Sequence, residues 1–402
     1  MRWIRSVAFI PVRRQMVVSQ PALALQPSSQ ATVRTEARSR ALFALLLITL
    51  SACGRGDVGP ASDTGGEFLR TASDLVDSTV SEPFGPPDLI ARPLEMMASG
   101  RYLFITDIKP PYVHVLDVIT GDHPRSFGLE GEGPGDFPST PLVVAGSTRG
   151  DTVWFYHVRP GRLSGVAIQD LSVDTLPSIS ATRAFDPGSG WTFSIDGPDA
   201  AGNLLGMTEA LNGIETFTYS LPGDSLSTRG TLALNNEQMD PSSLGQAYQG
   251  ILCYVPERDV WLQFYRNAGR TDIIDVTGMI RGEVPVPFHW PPHVEESTKQ
   301  PGRMVFAFNL ARTRHAYSGC AVTERFVYGL YLGHLTGDGG GRDYFDRLPP
   351  AEVQVFDMSF KLVKTFVLDH ATSVLAVPPG DTVLFSVKED STGPQVRRTR
   401  VP

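Results

Sequence analysis

Short runs of β-branched and aromatic residues alternate with turn-forming residues along most of the chain. From about residue 90 onward these runs form six units, each made of a strand, a turn and a second strand. Gly, Pro, Asp or Asn bound most runs and supply the turn geometry. The first strands are predicted at 102–107, 152–157, 203–208, 259–264, 326–331 and 382–387, and the second strands at 112–118, 162–168, 215–221, 271–276, 352–358 and 395–401.

The units recur at similar spacing. The position of each unit can be defined by one apolar residue in its first strand. These residues are Leu103, Val153, Leu204, Val260, Val327 and Val383, and they are separated by 50, 51, 56, 67 and 56 residues. A period near 40–55 residues with short strands is typical of β-propellers, whose blades have four strands. A β-sandwich would explain the strands but not the repeated spacing. The pattern therefore predicts an all-β, six-bladed β-propeller with four-stranded antiparallel blades.

Long helical periodicity is absent from the sequence pattern, although residues 67–80 are compatible with one short helix. The last unit ends near residue 401 on its second strand, so its blade lacks a partner strand. Residues 66–90 are the candidate to supply that strand and close the ring.

The N-terminal region has the pattern of a secretory signal. Three arginines between 34 and 40 precede an apolar run at 41–50 and the small residues Ser51 and Ala52. The run is shorter than the roughly 20 apolar residues that span a bilayer. We predict residues 1–52 to be a signal peptide, with 1–32 explained by a start codon assigned too early.

The four residues Leu50-Ser51-Ala52-Cys53 resemble the bacterial lipobox, in which the cysteine is acylated. This resemblance implies lipidation of Cys53 and a lipid anchor in the bacterial cell envelope; the alternative is a cysteine buried in an apolar helix. Gly54 follows, which by resemblance to lipoprotein sorting implies the outer membrane, facing the periplasm or the cell surface. We predict a lipidated cysteine and flexible tether over 53–85 and the propeller over 86–402.

The charge balance limits the partners. The chain carries 35 basic and 43 acidic residues, a net charge of −8, and cleavage before Cys53 would remove seven Arg and one Glu and leave about −14. Nucleic acid requires a basic footprint, so this balance argues against it as a partner. Contact with the membrane is expected through the lipid on Cys53, because acyl chains hold a protein at a bilayer.

Three segments resemble the six-bladed propeller lipoproteins of the NHL and TolB-like superfamily. They are the outer-strand patterns Val-His-Val-Leu-Asp at 113–117 and Val-Gln-Val-Phe-Asp at 353–357, and the loop Gly-Glu-Gly-Pro-Gly-Asp-Phe at 131–137. The resemblance covers residues 90–402, is weak at 204–221, and implies the fold rather than a function. The loop at 131–137 lacks the Gly-Lys-Ser/Thr of a phosphate loop, so we interpret it as structural, with Phe137 as an apolar plug.

Two loops are candidates for contact with a ligand. His289-Trp290-Pro-Pro-His293 carries two imidazoles, but the prolines exclude the helix on which an i, i+4 pair would share a metal. The insertion around Asp338 and Asp343 lacks the calcium-loop pattern. Both are interpreted as exposed loops, with ligand contact as the alternative.

Cys253 and Cys320 occupy equivalent positions in consecutive units. In an exported protein such a pair can form a disulfide if the Cα atoms lie within about 7 Å, and two buried thiols are the alternative.

The sequence contains no hydrolase or metalloprotease motif and no Cys/His cluster, so we assign no catalytic, cofactor-binding or metal residues. The leading hypothesis is a lipid-anchored binding module for a protein, peptide or glycan. The alternative is a lactonase- or lyase-like propeller enzyme with a divalent metal on the axis. The side chains that line the axis are expected to separate the two.

Overall fold

The computed structural model describes residues 76–133, 135–144, 151–159, 161–172, 179–184, 191–210, 213–232, 245, 247–292, 294–295, 307–308, 312–335, 348–389 and 393–402. All of these belong to one compact unit, Asp63–Pro402. Helical structure in this part is limited to short turns such as the 3-10 turn at Ile168–Ser172. None of the described helical segments is long and apolar enough to cross a membrane.

The described chain begins with two short strands, β1 (Val76–Ser78) and β2 (Ser81–Pro83), and continues into six antiparallel sheets, here called blades 1 to 6. Blades 1 to 5 run from the innermost strand outward. Blade 1 contains β3 (Pro93–Ser99), β4 (Tyr102–Asp107), β5 (Val113–Asp117) and β6 (Arg125–Phe127); blade 2 contains β7 (Leu142–Val143), β8 (Thr152–His157), β9 (Arg162–Ala167) and β10 (Ile179–Ala184); blade 3 contains β11 (Trp191–Asp196), β12 (Asn203–Ala210), β13 (Gly213–Ser220) and β14 (Ser225–Thr231).

The second half of the ring repeats this plan. Blade 4 contains β15 (Gly250–Val255), β16 (Val260–Tyr265), β17 (Thr271–Asp275) and β18 (Ile280–Glu283), and is followed by a small pair, β19 (Val294–Glu295) and β20 (Ala307–Phe308). Blade 5 contains β21 (Tyr317–Val322), β22 (Phe326–Tyr331), β23 (Glu352–Asp357) and β24 (Leu362–Val367), and blade 6 contains β25 (Leu375–Ala376), β26 (Val383–Lys388) and β27 (Gln395–Arg400). The prediction of a six-bladed propeller with four-stranded blades is confirmed.

The predicted strand pairs are the two middle strands of each blade. These strands are buried on both faces, because alternate side chains point to opposite neighbouring blades. In β4, Leu103 and Ile105 join the apolar cluster shared with blade 6, whereas Phe104 joins the cluster shared with blade 2. Six such clusters lie at the six blade interfaces and form the core.

The ring is closed by residues 76–83, here called the closure segment. β2 pairs antiparallel with β27 and becomes the outermost strand of blade 6, as the incomplete last unit predicted. β1 pairs in parallel with β24 and adds a fifth strand to blade 5. The helix predicted as compatible with 67–80 is therefore wrong over Val76–Ser78, and residues 76–83, which were predicted as part of the tether over 53–85, pair with the propeller sheets. The reason is that the unpaired edges of β24 and β27 offer backbone hydrogen bonds to this segment.

The Gly-rich loop after blade 1 has the structural role that its sequence indicated. The Phe137 side chain is fully buried in the cluster between blades 1 and 2, where its ring lies 5.5 Å from that of Phe155. A Cβ atom at Gly128, whose φ is +77°, would lie 2.6 Å from the Phe137 ring. Only glycine leaves room there for the aromatic plug.

Candidate axial binding site

The innermost strands surround an axial channel, and residues in the described part of the chain line three cavities along it. A central cavity of about 200 Å³ is lined by residues from β3, β7, β11, β15, β21 and β25, one strand from each blade. An upper cavity of about 350 Å³ opens at the end of the ring where these strands begin. A lower cavity of about 220 Å³ opens where they end. The upper and central cavities share Arg266 and Ser318, and the central and lower ones share Asp196 and Cys320.

The wall of the central cavity is mainly apolar. Its aliphatic and aromatic side chains come from five of the six blades and include Leu94, Met96, Leu142, Phe193, Ile195 and Ile251. Three ionisable side chains interrupt this wall: Glu95, Asp196 and Arg266. An apolar cavity with a few polar groups is the usual composition of a small-ligand site.

Glu95 lies on β3 and bridges blades 1 and 2. One of its carboxyl oxygens accepts a hydrogen bond of 2.6 Å from the backbone N–H of Val143. Burial raises the pKa of Glu95 to about 8; the charge of Asp196 adds to this rise, and the Val143 hydrogen bond and Arg266 oppose it. Glu95 is therefore mostly protonated at neutral pH.

Asp196 ends β11 at the lower end of the central cavity. Its carboxylate accepts a 2.7 Å hydrogen bond from the backbone N–H of Tyr254 on β15, and only 2% of the residue is exposed. Asp196 thus joins blades 3 and 4 while placing negative charge on the channel wall.

Arg266 lies directly after β16, and backbone hydrogen bonds to two other segments of the chain fix its position. Its N–H donates to the Gln249 carbonyl at 2.8 Å, and its carbonyl accepts from the Ala316 N–H at 2.7 Å. Its side chain is surrounded by protein but exposed to the cavities. Burial lowers the pKa of Arg266, and the nearby Glu95 opposes that shift. Within the described part of the chain, its guanidinium has no hydrogen-bond or ion-pair partner.

The upper cavity is lined by more basic than acidic groups. Besides Arg266 it contains Arg92, His315, His334 and one carboxyl, Glu389. Burial, then the charges of His334 and Arg266, lowers the pKa of His315 to about 4, so this imidazole is neutral at pH 7. Burial raises the pKa of Glu389, which accepts a 3.2 Å hydrogen bond from the Ser373 hydroxyl. The two arginines therefore dominate the charge of this cavity.

Of the predicted ligand-facing loop residues, the two that the structure describes, His289 and Trp290, are not among the residues that line these cavities. The exposed His289 lies 3.2 Å from the carboxylate of Glu283 on the outermost strand of blade 4. Trp290 packs against Phe288, with ring centres 4.9 Å apart, and lies under the Arg314 guanidinium. Trp290 thus belongs to the apolar cluster between blades 4 and 5, whereas His289 stays at the surface. His293, Asp338 and Asp343, like Cys53, lie outside the described residues.

Cys253 and Cys320 are joined by a disulfide with a Cα–Cα distance of 6.4 Å. The two cysteines lie on β15 and β21, the innermost strands of blades 4 and 5. Both line the lower cavity, so the bond forms part of the channel wall.

Sequence reasoning missed Glu95, Asp196 and Arg266, the three ionisable groups of the central cavity. The sequence could have placed Arg266 at the upper end of the ring, because it follows a predicted first strand and the turns after these strands lie on that side. Nothing in the sequence distinguished this turn from the five equivalent turns. Among the described residues, no three His, Cys, Asp or Glu side chains are grouped closely enough to hold a metal ion.

No protein-family model and no curated protein sequence matches the chain. Several solved structures, however, match the chain. A member of the DUF4221 family from Bacteroides vulgatus is 11% identical, over 81% of this chain and 96% of that one, with a TM-score of 0.54. A "Putative exported protein" from Bacteroides fragilis is 10% identical, over 81% and 95%, with a TM-score of 0.50. At these identities the similarity shows the propeller fold alone.

Proposed function

We propose that this protein is a lipid-anchored binding module of the bacterial cell envelope, and that a protein segment, peptide or glycan binds in the upper and central cavities. The observation that carries the proposal is the Arg266 guanidinium, which faces a cavity of ligand size without a partner in the described part of the chain. Cavities of about 300–1,000 Å³ with few polar groups are typical of ligand sites.

Membership of the NHL and TolB-like superfamily and the outer-membrane anchor are part of the same proposal. The lipobox-like Leu50–Cys53 segment and Gly54 support the anchor. Fractionation of cells that express the wild type or Cys53→Ala tests it. The wild type is expected in the outer-membrane fraction, and the variant is expected to be released from it. Equal distribution of both would contradict the anchor.

Site-specific photo-cross-linking in envelope extracts tests the binding site. A photoreactive residue at Ser318, in the wall shared by the upper and central cavities, is expected to capture a ligand. The matched control is the same residue at Thr277, in the exposed turn between the two outer strands of blade 4. Capture of the same material at both positions would argue against an axial site.

The alternative, an enzyme with an axial divalent metal, is favoured by one observation: the carboxyl groups of Glu95 and Asp196 both line the central cavity. Metal analysis and thermal melts with and without EDTA separate the two functions. One ion per chain and a melting temperature that falls on chelation would favour the enzyme. Absence of bound metal and an unchanged melt would leave the binding module.

A further inference from the structure

The two ends of the axial channel carry opposite charge. Among the described residues, the upper cavity is lined by Arg92 and Arg266 and by the carboxyl group of Glu389. The described residues that line the lower cavity include three carboxyl groups, from Asp196, Glu257 and Glu324, and no basic side chain. Because opposite charges attract and like charges repel, the arginines attract an anion to the upper end of the channel, and the carboxyl groups repel it at the lower end.

Arg266 is available to that anion. Its guanidinium lies where the upper and central cavities meet and has no partner among the described residues. A planar guanidinium matches a carboxylate in a two-pronged hydrogen-bonded pair. Glu95 on the same wall competes little, because a carboxyl group that is protonated at neutral pH does not form an ion pair.

The space below Arg266 accepts an apolar group. Leu94, Met96, Phe193 and Ile195 line the central cavity beneath it. Asp196 closes the lower end of this cavity with negative charge, which excludes a second anionic group there. The channel thus accommodates one negative charge at the top and an apolar chain below it.

From this arrangement we infer that the channel binds a ligand with a single carboxylate at the end of an apolar chain, the carboxylate on Arg266 and the chain in the central cavity. This chemistry is shared by medium-chain fatty acids and by the free C-terminus of an apolar peptide. The inference rests on the proposed axial binding site and specifies the chemistry of its ligand: a peptide C-terminus falls within the ligand classes proposed above, and a fatty acid would extend them.

Calorimetry with the mature, detergent-purified protein tests the inference. The probes are decanoate, the blocked dipeptide N-acetyl-Leu-Leu and, as the neutral analogue, 1-decanol. At least one carboxylate is expected to bind, and the tighter one identifies the source of the ligand. Decanol is expected to bind about tenfold more weakly than decanoate or worse, because charge-assisted hydrogen bonds are lost.

Arg266→Gln is the decisive variant and is expected to weaken carboxylate binding about tenfold or more. The matched control is Arg281→Gln, which removes an arginine from the outermost strand of the same blade, where it pairs with Asp275. The control is expected to bind like the wild type. Lack of carboxylate binding, equal binding of decanol and decanoate, or unchanged binding by Arg266→Gln would each overturn the inference.

The same experiments distinguish the inference from the function on which it rests. If neither carboxylate binds but Ser318 still cross-links a ligand from envelope extract, the axial binding function stands and the ligand class is wrong. If neither carboxylate binds and Ser318 captures nothing, both proposals fail.

Discussion

Two joints between neighbouring blades, the one between blades 4 and 5 and the one between blades 5 and 6, use different chemistry. Blades 4 and 5 are joined at their innermost strands by the Cys253–Cys320 disulfide. Blades 5 and 6 are joined at their outermost strands by the closure segment, which binds through hydrogen bonds and through the ion pairs Lys364–Asp77 and Arg398–Glu82. The first link is covalent and beside the channel; the second is non-covalent and at the rim.

The difference follows from the strands of blade 6. Its three consecutive strands β25, β26 and β27 leave the outer edge of β27 open, and β2 pairs with that edge. Ser81 at the centre of this segment donates its backbone N–H and hydroxyl to the Asp369 carboxylate at 3.0 and 2.6 Å. Arg397 donates to the Ser81 hydroxyl and carbonyl at 3.0 and 2.8 Å. The closure is therefore a polar network that depends on ionised groups, whereas the disulfide does not.

Removal of the closure segment is expected to have the largest effect. Replacement of residues 76–83 by eight Gly and Ser residues removes the paired strands and leaves Asp369 and Arg397 without partners from this segment. With about 1 kcal/mol for each hydrogen bond and more for the charged groups, the loss is on the order of 5 kcal/mol in the free energy of unfolding. Urea unfolding measures it. A variant as stable as the wild type would show that the ring closes without this segment.

Loss of the disulfide ranks second. Cys253 and Cys320 are 67 residues apart, so their bond restricts a long loop in the unfolded chain. The double variant Cys253→Ser/Cys320→Ser is expected to lose about 2–4 kcal/mol in the free energy of unfolding. Reductant should destabilise the wild type equally and leave the variant unchanged. Reaction of both thiols with a labelling reagent in the unfolded, unreduced protein would disprove the bond.

Ser81→Ala tests the closure network at one side chain. The substitution removes the hydroxyl bonds to Asp369 and Arg397 but keeps the β2 backbone pairing. The expected loss is about 1–2 kcal/mol in the free energy of unfolding. Val80→Ala is the matched control, because that side chain is 85% exposed and is expected to leave stability unchanged. Equal effects of the two substitutions would contradict a role for the hydroxyl.

Acid is expected to weaken the closure joint more than the disulfide joint. Burial acts to raise the pKa of Asp369, but the Ser81 hydrogen bonds and His370 outweigh it and lower this pKa to about 2, below its ordinary 3.8. The ionised carboxylate therefore stabilises the fold above about pH 4, and this contribution is lost as the pH falls toward 2.

Comparison of the wild type with Asp369→Asn measures this contribution. The wild type should be the more stable at pH 6, and the difference should shrink between pH 4 and pH 2. A difference that stays constant over this range would show that the Asp369 charge has no role in closure. The effect is expected to be smaller than the other three, because Asp369 is partly exposed and solvent screens its charge.

The middle strands could be predicted from sequence with nearly correct bounds. β4 and β8 match their predicted ranges fully, because both faces of such strands are buried and every position favours β-branched or aromatic residues. The strands at the inner edges of the blades could not all be predicted from sequence. β7 and β25 have only two residues each, and no pattern of period two can be recognised in so short a segment.

The candidate site could not be predicted from the sequence, for a related reason. Arg266 and Glu95 are 171 positions apart, and nothing local distinguishes them from other charged residues beside turns. Trp290 and His289 stand out through their residue types, yet Trp290 packs in the cluster between blades 4 and 5, and the exposed His289 pairs with Glu283. The spacing of Cys253 and Cys320 indicated equivalent positions, but only the approach of two innermost strands brings their Cα atoms within bonding range.

The sequence by itself determined the strand pairs, their number and the need for a closing strand, since these depend on local periodicity and on a count of units. Tertiary structure decided what lies on the axis, because each of the six blades contributes only a few residues there and ring closure sets which of them meet. The charge asymmetry of the channel arises in the same way. Arg266 and Asp196 lie at opposite ends of the central cavity only because the fold arranges strands from separate blades around one axis.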